Sequence, residues 1–284
     1  MKRERNEGNC SWFRYDQFAW WLIPVIFATL VLVELPLKTG LQFGGDEGYE
    51  LIKGLLVSHG SILYRDVWND QPALHTALLA GLFSIFGPSA YVGRLLTVAF
   101  AVLLLMALYR LVRLRLGRFA GTLALVLILG SSGFVLASVS VMLELPAMAL
   151  SLMGVACLYQ CFLPPRFGNR AGRRWLVLSG ASFGAAFHLK FTSAIFWPAT
   201  IWEILRFRDS KEGFASHRHE SRALNLLFWL VSALGTSYIL SLLLYSVSPV
   251  AIFKQSHFAS SQAAVFGDSA MDVSFRLVFL FYDY

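Results

Sequence analysis

The feature that most constrains this chain is a series of apolar stretches long enough to cross a bilayer. A transmembrane helix needs about 20 mainly apolar residues. Such stretches occupy residues 17–37, 91–112, 119–141, 145–163 and 224–247, and another starts near Asp272. The 284 residues are 57% hydrophobic and 14% charged, whereas soluble domains carry about 25% charged residues. The pattern predicts an all-α polytopic membrane protein.

Two further apolar segments do not have the length of a simple span. Residues 72–87 are of marginal length for a span, and the charge distribution described below favours a re-entrant or interfacial helix there. Residues 175–205 are too many for one straight helix and too few for two full spans, which predicts a hairpin of two short helices with its tip near Lys190. The sequence then predicts about seven to eight spanning helices.

The distribution of positive charge predicts the orientation. With the N-terminus cytoplasmic and residues 72–87 not crossing, 17 of the 24 Lys and Arg residues fall in cytoplasmic segments. An excess of Lys and Arg in short cytoplasmic connections is the usual pattern in membrane proteins. The interpretation makes residues 1–16 a cytoplasmic tail and residues 38–90 an extracytoplasmic loop with interfacial helices.

Composition also argues against several classes of function. The net charge of +7 lies in short runs between apolar stretches, which indicates membrane topology and not a nucleic-acid surface. Cys157 and Cys161 lie in an apolar stretch without histidines at metal spacing, so we expect small buried side chains. The sequence has no phosphate-cradling glycine loop and no nucleophilic serine motif, which argues against a nucleotide cofactor.

The strongest candidate for chemistry is Asp46, in a loop that begins with two glycines. A carboxylate just outside the membrane can act as a general base. The alternative is that Asp46 caps a helix predicted over 47–58. Its neighbour Glu47 is a candidate substrate-binding residue, and its charge suits the first turn of that helix.

A second polar run, Tyr64 to Pro72, supplies Asp70 and the candidate substrate-binding residue Tyr64. Asp70 follows Asp46 by 24 residues, across the predicted helix. Two carboxylates can share a divalent cation or divide the roles of base and ligand. The alternative for Asp70 is a cap of the helix that begins near Pro72.

Four other polar residues are predicted to reach the same extracytoplasmic side. Glu144 is a substrate-binding candidate or a helix cap, and Lys190 is a phosphate ligand or a side chain that reaches back to the interface. Arg94 suits bidentate phosphate contact. His257 is a candidate ligand, although a single histidine often has a structural role. Ionisable groups at membrane depth are costly and commonly functional.

Several of these residues occur in motifs that resemble a known superfamily. The chain is similar to the GT-C membrane glycosyltransferases, and most closely to the branch with the protein O-mannosyltransferases, the lipid A aminoarabinose transferase and the RgtA/B/C/D-like enzymes. The match is specific over about residues 40–95. It is carried by Gly45-Asp46-Glu47, Tyr49, Lys53-Gly54, Gly60, Tyr64-Arg65-Asp66-Val67-Trp68-Asn69-Asp70-Gln71-Pro72-Ala73-Leu74, Phe86-Gly87 and Val92-Gly93-Arg94-Leu95, with shorter similarities at Glu144-Leu145-Pro146, Leu189-Lys190 and Phe253 to His257.

The resemblance implies a GT-C-type helical bundle that transfers a sugar from a polyprenyl-phosphate donor to an extracytoplasmic acceptor, with inversion. It implies that Asp46 is the base, that Asp70 is a metal or substrate ligand, and that His257 is a ligand of a divalent metal ion. It also implies that Glu144 is a second-loop acid and that Arg94 and Lys190 face the donor phosphate. The localisation implied is a bacterial-type plasma membrane.

The chain departs from the pattern in ways that leave other readings open. Gln71 stands where some relatives have Lys, which weakens one phosphate contact, and Ala73 replaces a second proline. The sequence stops where another span begins, so we expect residues 1–284 to be a single GT-C-like domain without its C-terminal part. The alternatives are a membrane transporter or lipid flippase, and an inactive truncated remnant.

Overall fold

The computed structural model describes residues 12–38, 45–162, 170–206 and 217–244, with side chains described from Trp21, Asp46, Gly172 and Arg222 onward in these segments. This part of the chain folds into helices. They are α1 (Trp12–Glu34), α2 (Gly45–Ser58), α3 (Leu74–Phe86), α4 (Ala90–Leu116), α5 (Arg118–Leu129), α6 (Ser132–Val139), α7 (Glu144–Cys161), α8 (Arg170–Leu189), α9 (Phe196–Arg206) and α10 (His217–Leu244), with a 3₁₀ helix (Phe191–Ile195) before α9.

The predicted helical membrane protein is confirmed. Among the described residues, α4, α7 and the Arg222–Leu244 part of α10 are long and apolar enough to cross a membrane. The bent pair α5 and α6 forms a fourth crossing when it is counted as one span. The span predicted from Asp272 and the candidate ligand His257 lie outside the described residues.

The expectation of one continuous span over residues 119–141 is wrong in detail. The helix breaks at Gly130 and Ser131, and α5 and α6 meet at an angle of 74°. Ser131 has extended backbone angles, with φ −85° and ψ 117°. Glycine and serine both favour breaks over helix interiors, because glycine loses more entropy and serine competes for backbone hydrogen bonds.

The turn predicted near Lys190 is confirmed, but the first helix of the predicted hairpin is not short, because α8 begins at Arg170 and has 20 residues. Lys190 has extended backbone angles and separates α8 from the 3₁₀ helix. Ile204, near the end of α9, packs in the same buried cluster as Leu176, near the start of α8. The chain therefore doubles back after Lys190.

Close contact between α8 and α10 depends on two small residues. A Cβ atom built on Gly180 would lie 2.5 Å from the Trp229 carbonyl oxygen, and one on Gly184 would lie 2.5 Å from that of Ala233. This glycine pair, four residues apart, lets the helix backbones touch, as small residues commonly do in membrane bundles. Cys157 and Cys161 of α7 are buried, as expected.

The first loop forms a compact helical layer against the start of α4. Leu51 of α2 and Leu79 and Phe83 of α3 form a buried cluster with Ala90 and Val141. With 13 residues, α3 is about 20 Å long, shorter than the hydrocarbon core of about 30 Å. Its length agrees with the prediction that residues 72–87 do not cross the membrane.

The bundle has two distinct ends. The starts of α2, α4 and α7 and the end of α8 lie at one end, which we call the loop end. The end of α4, the end of α7 and the start of α8 lie at the other, which we call the arginine end. Contacts described below, from Glu47 to Arg94 and from Arg115 to Tyr159, place these helix termini together.

Candidate active site

A buried ion pair joins the first loop to the bundle. The Arg94 Nε donates to Glu47 Oε1 at 2.9 Å, and Nη2 donates to Oε2 at 3.1 Å. Arg94 is 0% exposed and Glu47 is 2% exposed. Bidentate contacts of this kind fix the geometry of both side chains. Neither residue presents its charged group to the surface.

The same pair also binds two backbone groups from other segments. Arg94 Nη1 donates to the Leu37 carbonyl at 2.7 Å, just after α1. The amide of Val141, three residues before Glu144, donates to Glu47 Oε1 at 3.3 Å. The pair thus holds the ends of three segments of chain in one place. The expected contacts of Arg94 with a donor phosphate and of Glu47 with substrate stay predictions.

Asp46 lies beside this buried pair and is itself exposed. The interpretation of Asp46 as a helix cap is wrong, because α2 begins at Gly45 and Asp46 falls in its first turn. An acidic side chain in a first turn is favoured by the helix dipole. Since Glu47 anchors the same turn, the backbone that carries the Asp46 carboxylate is fixed at the loop end.

Glu144 and Lys190 form a second pair at the loop end. Lys190 Nζ donates to Glu144 Oε1, which joins the start of α7 to the end of α8 across 46 residues of sequence. The Glu144 side chain is 51% exposed and that of Lys190 is 23% exposed. Glu144 is the first residue of α7 and Leu143 is its N-cap, without a side-chain capping bond. The interpretation of Glu144 as a cap is therefore wrong.

Asp70 is half-buried near the start of α3. Its Oδ2 accepts a hydrogen bond of 3.3 Å from Gln71 Nε2. The N-cap of α3 is Ala73 and makes no side-chain capping bond, so the interpretation of Asp70 as a cap is wrong. The described residues hold no group of three or more His, Cys, Asp or Glu side chains that could bind a metal ion. The described donors around Asp70 therefore do not by themselves fit a metal site.

Beneath Asp70 lies a buried polar network that the sequence analysis did not identify. Glu50 accepts from Lys53 Nζ and lies 3.3 Å from His75 Nδ1. Lys53 Nζ also donates to Asn69 Oδ1 at 2.9 Å. All four side chains are buried, and buried charges require partners of this kind. The network links α2 to α3 and to the loop between them.

Tyr64 and Asn69 connect this network by hydrogen bonds to the backbone beside Asp70. Tyr64 Oη donates to the Gln71 carbonyl at 2.6 Å, and Asn69 Nδ2 donates to the same oxygen at 2.7 Å. Tyr64 is buried and has a φ of 66°, which is costly for a bulky side chain unless its surroundings hold it. Tyr64, for which a contact with substrate was expected, thus binds the carbonyl of Gln71, the residue after Asp70.

The charges of the network hold Glu50 ionised. Burial alone raises the pKa of Glu50, but the hydrogen bond from His75 and the charge of Lys53 outweigh it and hold that pKa below its ordinary value of 4.5. At the surface nearby, Arg65 and the Ile62 amide likewise hold the pKa of Asp66 below its ordinary value. Arg65 and Asp66 are both exposed.

Two features of the sequence could have identified the buried network. Glu50 and Lys53 are three residues apart in α2, a spacing that allows opposite charges to pair on one helix face. His75 is an ionisable residue at the start of an apolar helix, where such residues commonly have a partner. The long-range contact from Lys53 to Asn69 has no local signal.

Known structures share this fold. The chain is similar to ArnT from Cupriavidus metallidurans bound to undecaprenyl phosphate, with a TM-score of 0.59 and 18% identity over 85% of this chain and 44% of that one. It is also similar to the apo state of the same protein, with a TM-score of 0.58 and 21% identity over 80% of this chain and 42% of that one. This chain thus covers less than half of the length of each. A comparison with curated proteins gave no match.

A family model provides the more specific result. The model described as dolichyl-phosphate-mannose-protein mannosyltransferase matches residues 70–234, from the Asp70 segment into α10. That range is more than half of the chain and includes Arg94, Glu144 and Lys190. Together with the GT-C fold of the solved structures, it confirms the superfamily that the sequence motifs indicate. The chain therefore belongs to the dolichyl-phosphate-mannose-protein mannosyltransferase family.

Proposed function

We propose that this chain is the membrane domain of a glycosyltransferase that moves a sugar from a polyprenyl-phosphate donor to an extracytoplasmic acceptor, with inversion at the anomeric carbon. The observation that carries the proposal is the position of Asp46. Its carboxylate is exposed at the loop end, on a turn anchored by the buried Glu47–Arg94 pair. The family match and the similarity to a structure bound to undecaprenyl phosphate support the class of donor.

In this mechanism Asp46 is the general base. It accepts the proton of the acceptor hydroxyl as that oxygen attacks the anomeric carbon, and the bond from that carbon to the phosphate oxygen breaks. Attack from the face opposite the phosphate inverts the configuration. An exposed carboxylate on a fixed backbone suits this role, because the acceptor must reach it from outside the membrane.

The departing phosphate requires a cation, and Lys190 is the candidate. Its ammonium group lies at the loop end and is paired with Glu144. Both side chains are partly exposed, so a phosphate dianion can replace or join the Glu144 carboxylate as the partner of Lys190. Glu144 then holds Lys190 in position before the donor binds. Preorganised charge of this kind stabilises a leaving group at low reorganisation cost.

Glu47, Arg94 and Tyr64 act in this proposal as positioning residues. Their polar groups are buried and bonded within the protein, so a direct contact with substrate would first have to break those bonds. Asp70 is the acid left available beside the clamped Gln71 peptide, and we propose it as a substrate ligand. Its partnership with His257 and a metal ion stays an expectation from the sequence.

The test is a transfer assay on the full-length protein in lipid nanodiscs, with a panel of radiolabelled polyprenyl-phosphate sugars and extracted envelope acceptors. We expect the D46N variant to lose at least 100-fold in kcat, in the range attributed to general acid–base catalysis. The control is D66N, which removes an exposed carboxylate of the same loop and should transfer normally. Unchanged turnover in D46N would exclude Asp46 as the base, and an absence of transfer from every lipid-linked sugar would contradict the proposal as a whole.

A further inference from the structure

Two adjacent side chains in the first loop have hydrogen-bonding groups that are only partly used. Gln71 Nε2 donates to Asp70 Oδ2 at 3.3 Å, and we call these two residues the acid–amide pair. Within the segments that the structure describes, Asp70 Oδ1 and Gln71 Oε1 make no hydrogen bond to the protein. Both side chains are half-buried, so a ligand can reach them. They offer it a carboxylate oxygen, an amide oxygen and the second amide N–H.

Neighbouring side chains hold the backbone of the acid–amide pair in place. Tyr64 Oη and Asn69 Nδ2 both donate to the Gln71 carbonyl, at 2.6 Å and 2.7 Å, and the Gln71 amide donates to Asn69 Oδ1 at 3.4 Å. The next residue, Pro72, is buried and has its φ restricted by its own ring. Because this backbone is ordered before a ligand arrives, binding to the pair costs less conformational entropy.

The pair is also joined to the helix face that begins with the proposed base. Asp46, Glu50 and Lys53 are spaced by four and by three residues in α2, so they share one face over about two helical turns, or roughly 10 Å. Lys53 Nζ donates to Glu50 Oε1 and, at 2.9 Å, to the Oδ1 of Asn69, the residue before the pair. The base and the acid–amide pair therefore lie on the same side of α2.

The chemistry of the acid–amide pair fits two neighbouring hydroxyl groups of a sugar. One hydroxyl can donate to Asp70 Oδ1, and hydrogen bonds to a charged acceptor are stronger than those between neutral groups. The next hydroxyl can accept from the second N–H of Gln71 or donate to its Oε1. The carboxylate of an acidic sugar would be repelled by Asp70. The ammonium group of an amino sugar has no lone pair to accept from the N–H of Gln71.

We propose that the acid–amide pair binds two neighbouring hydroxyl groups of the donor sugar, and that this sugar is a neutral one. The inference rests on the proposed function, in which Asp46 is the base. The donor sugar is favoured over the acceptor because its anomeric carbon has to be held in a fixed position relative to the base during the attack, and the pair stands on a fixed backbone beside that base. Lys53 and Asn69 are positioning residues, since they act on the pair through the Gln71 backbone.

The test compares the wild type with Q71A in the same transfer assay on the full-length protein. The donors are the neutral lipid-linked sugar with the highest wild-type kcat/KM and its single-deoxy analogues. Q71A removes the side-chain amide but keeps the backbone bonds of residue 71. We expect the KM for the donor to rise about twofold to tenfold, as for the loss of one neutral hydrogen bond, with the KM for the acceptor unchanged. The control D66N, in the same loop, should change neither value.

The deoxy analogues identify the hydroxyl that Gln71 binds. One of them should be a poor donor for the wild type and should lose nothing further in Q71A, because the contact is already absent. A purely structural role would instead lower the transfer of every donor by the same factor. Lipid-linked uronic acids and amino sugars should be transferred at least tenfold less efficiently than the neutral sugar by the wild type.

Four results would overturn the proposal: unchanged kinetics in Q71A, an equal loss on the parent donor and on every deoxy analogue, a rise in the KM for the acceptor alone, and a wild-type preference for an acidic or amino sugar. If Q71A does not fold, Q71N replaces it, since it keeps the amide but shortens its reach.

A binding measurement separates this inference from the proposed function. Native mass spectrometry of D46N and D46N/Q71A with a polyprenyl-phosphate hexose makes the same comparison without the chemical step. Weaker binding by the double variant would support the pair, and equal binding would count against it. An absence of transfer from every lipid-linked sugar would contradict the proposed function whichever of these two results is found.

Discussion

Arg94 and Glu47 are 47 residues apart in sequence, and their side chains meet at 2.9 Å in the interior of the protein. Through backbone bonds to Leu37 and Val141, this one pair connects the end of α1, the start of α2, α4 and the segment before α7. The position of Asp46 therefore depends on a contact that is hidden from the substrate.

Removal of one charge of this pair should be more damaging than removal of both. We expect E47Q to lower the free energy of unfolding by about 3–5 kcal/mol, because Arg94 is left buried without its counter-ion, while E47M/R94M should recover much of that loss. Thermal unfolding in detergent measures the difference. The exposed Arg65–Asp66 pair provides the control, since D66N should leave the unfolding temperature almost unchanged. A double variant less stable than E47Q would contradict this account.

Asn69 is the point at which the buried network meets the Asp70 segment. We expect N69A to leave Lys53 and the Gln71 carbonyl each with one hydrogen bond fewer, at a cost of about 0.5–1.5 kcal/mol per bond. Hydrogen exchange of peptides that cover residues 62–72 should then accelerate by about tenfold or more, while α8 exchanges as before. The control S58A removes a local bond to the Leu55 carbonyl. Uniform acceleration over the whole chain would show that the network has no specific link to Asp70.

The lowered pKa of Glu50 predicts a loss of stability in acid. In the unfolded chain Glu50 takes up a proton near its ordinary pKa of 4.5, whereas in the folded protein it does so only at lower pH. Its contribution is therefore complete above pH 4.5 and is lost as the pH falls through the folded value. Unfolding midpoints of the wild type and E50Q, compared from pH 7 to pH 3, should converge as this contribution disappears. Parallel curves would contradict the assignment.

The glycine contact between α8 and α10 allows a matched pair of substitutions. A methyl group at Gly184 would lie 2.5 Å from the Ala233 carbonyl, whereas one at Gly235 would meet nothing within 4 Å. We expect G184A to cost about 1–3 kcal/mol through overpacking, and G235A to be neutral or stabilising by up to about 1 kcal/mol through helix propensity. Thermal unfolding in detergent would measure both. Equal effects would remove the argument from close packing.

Local sequence patterns predicted the features that depend on hydrophobic length. The apolar stretches near α4, α7 and α10 have the length of a bilayer, and the length of residues 175–205 predicted a turn near Lys190, where the chain does reverse. The sequence prediction missed the break at Gly130 and Ser131. The long apolar stretches on both sides indicated a continuous span, although glycine and serine both have weak helix propensity.

The candidate site was predictable in its residues but not in its pairings. The motifs led to Asp46, Asp70, Glu144 and Lys190, and the structure joins the last two. Burial of Arg94 against Glu47 depends on packing between distant segments, which no local spacing reveals. The hydrogen bond from the Tyr64 hydroxyl to the Gln71 carbonyl is another pairing that the motif did not reveal.

The break between α5 and α6 has a consequence for the membrane around the protein. Helices that diverge by 74° cannot both stand along the bilayer normal. The 12 residues of α5 span about 18 Å, well short of the hydrocarbon thickness. On this side of the bundle the apolar surface is therefore shorter along the bilayer normal than it is along α4. The bilayer should thin there to match it. A locally thinner bilayer on this side shortens the distance that a lipid headgroup has to travel from one membrane surface toward the protein interior.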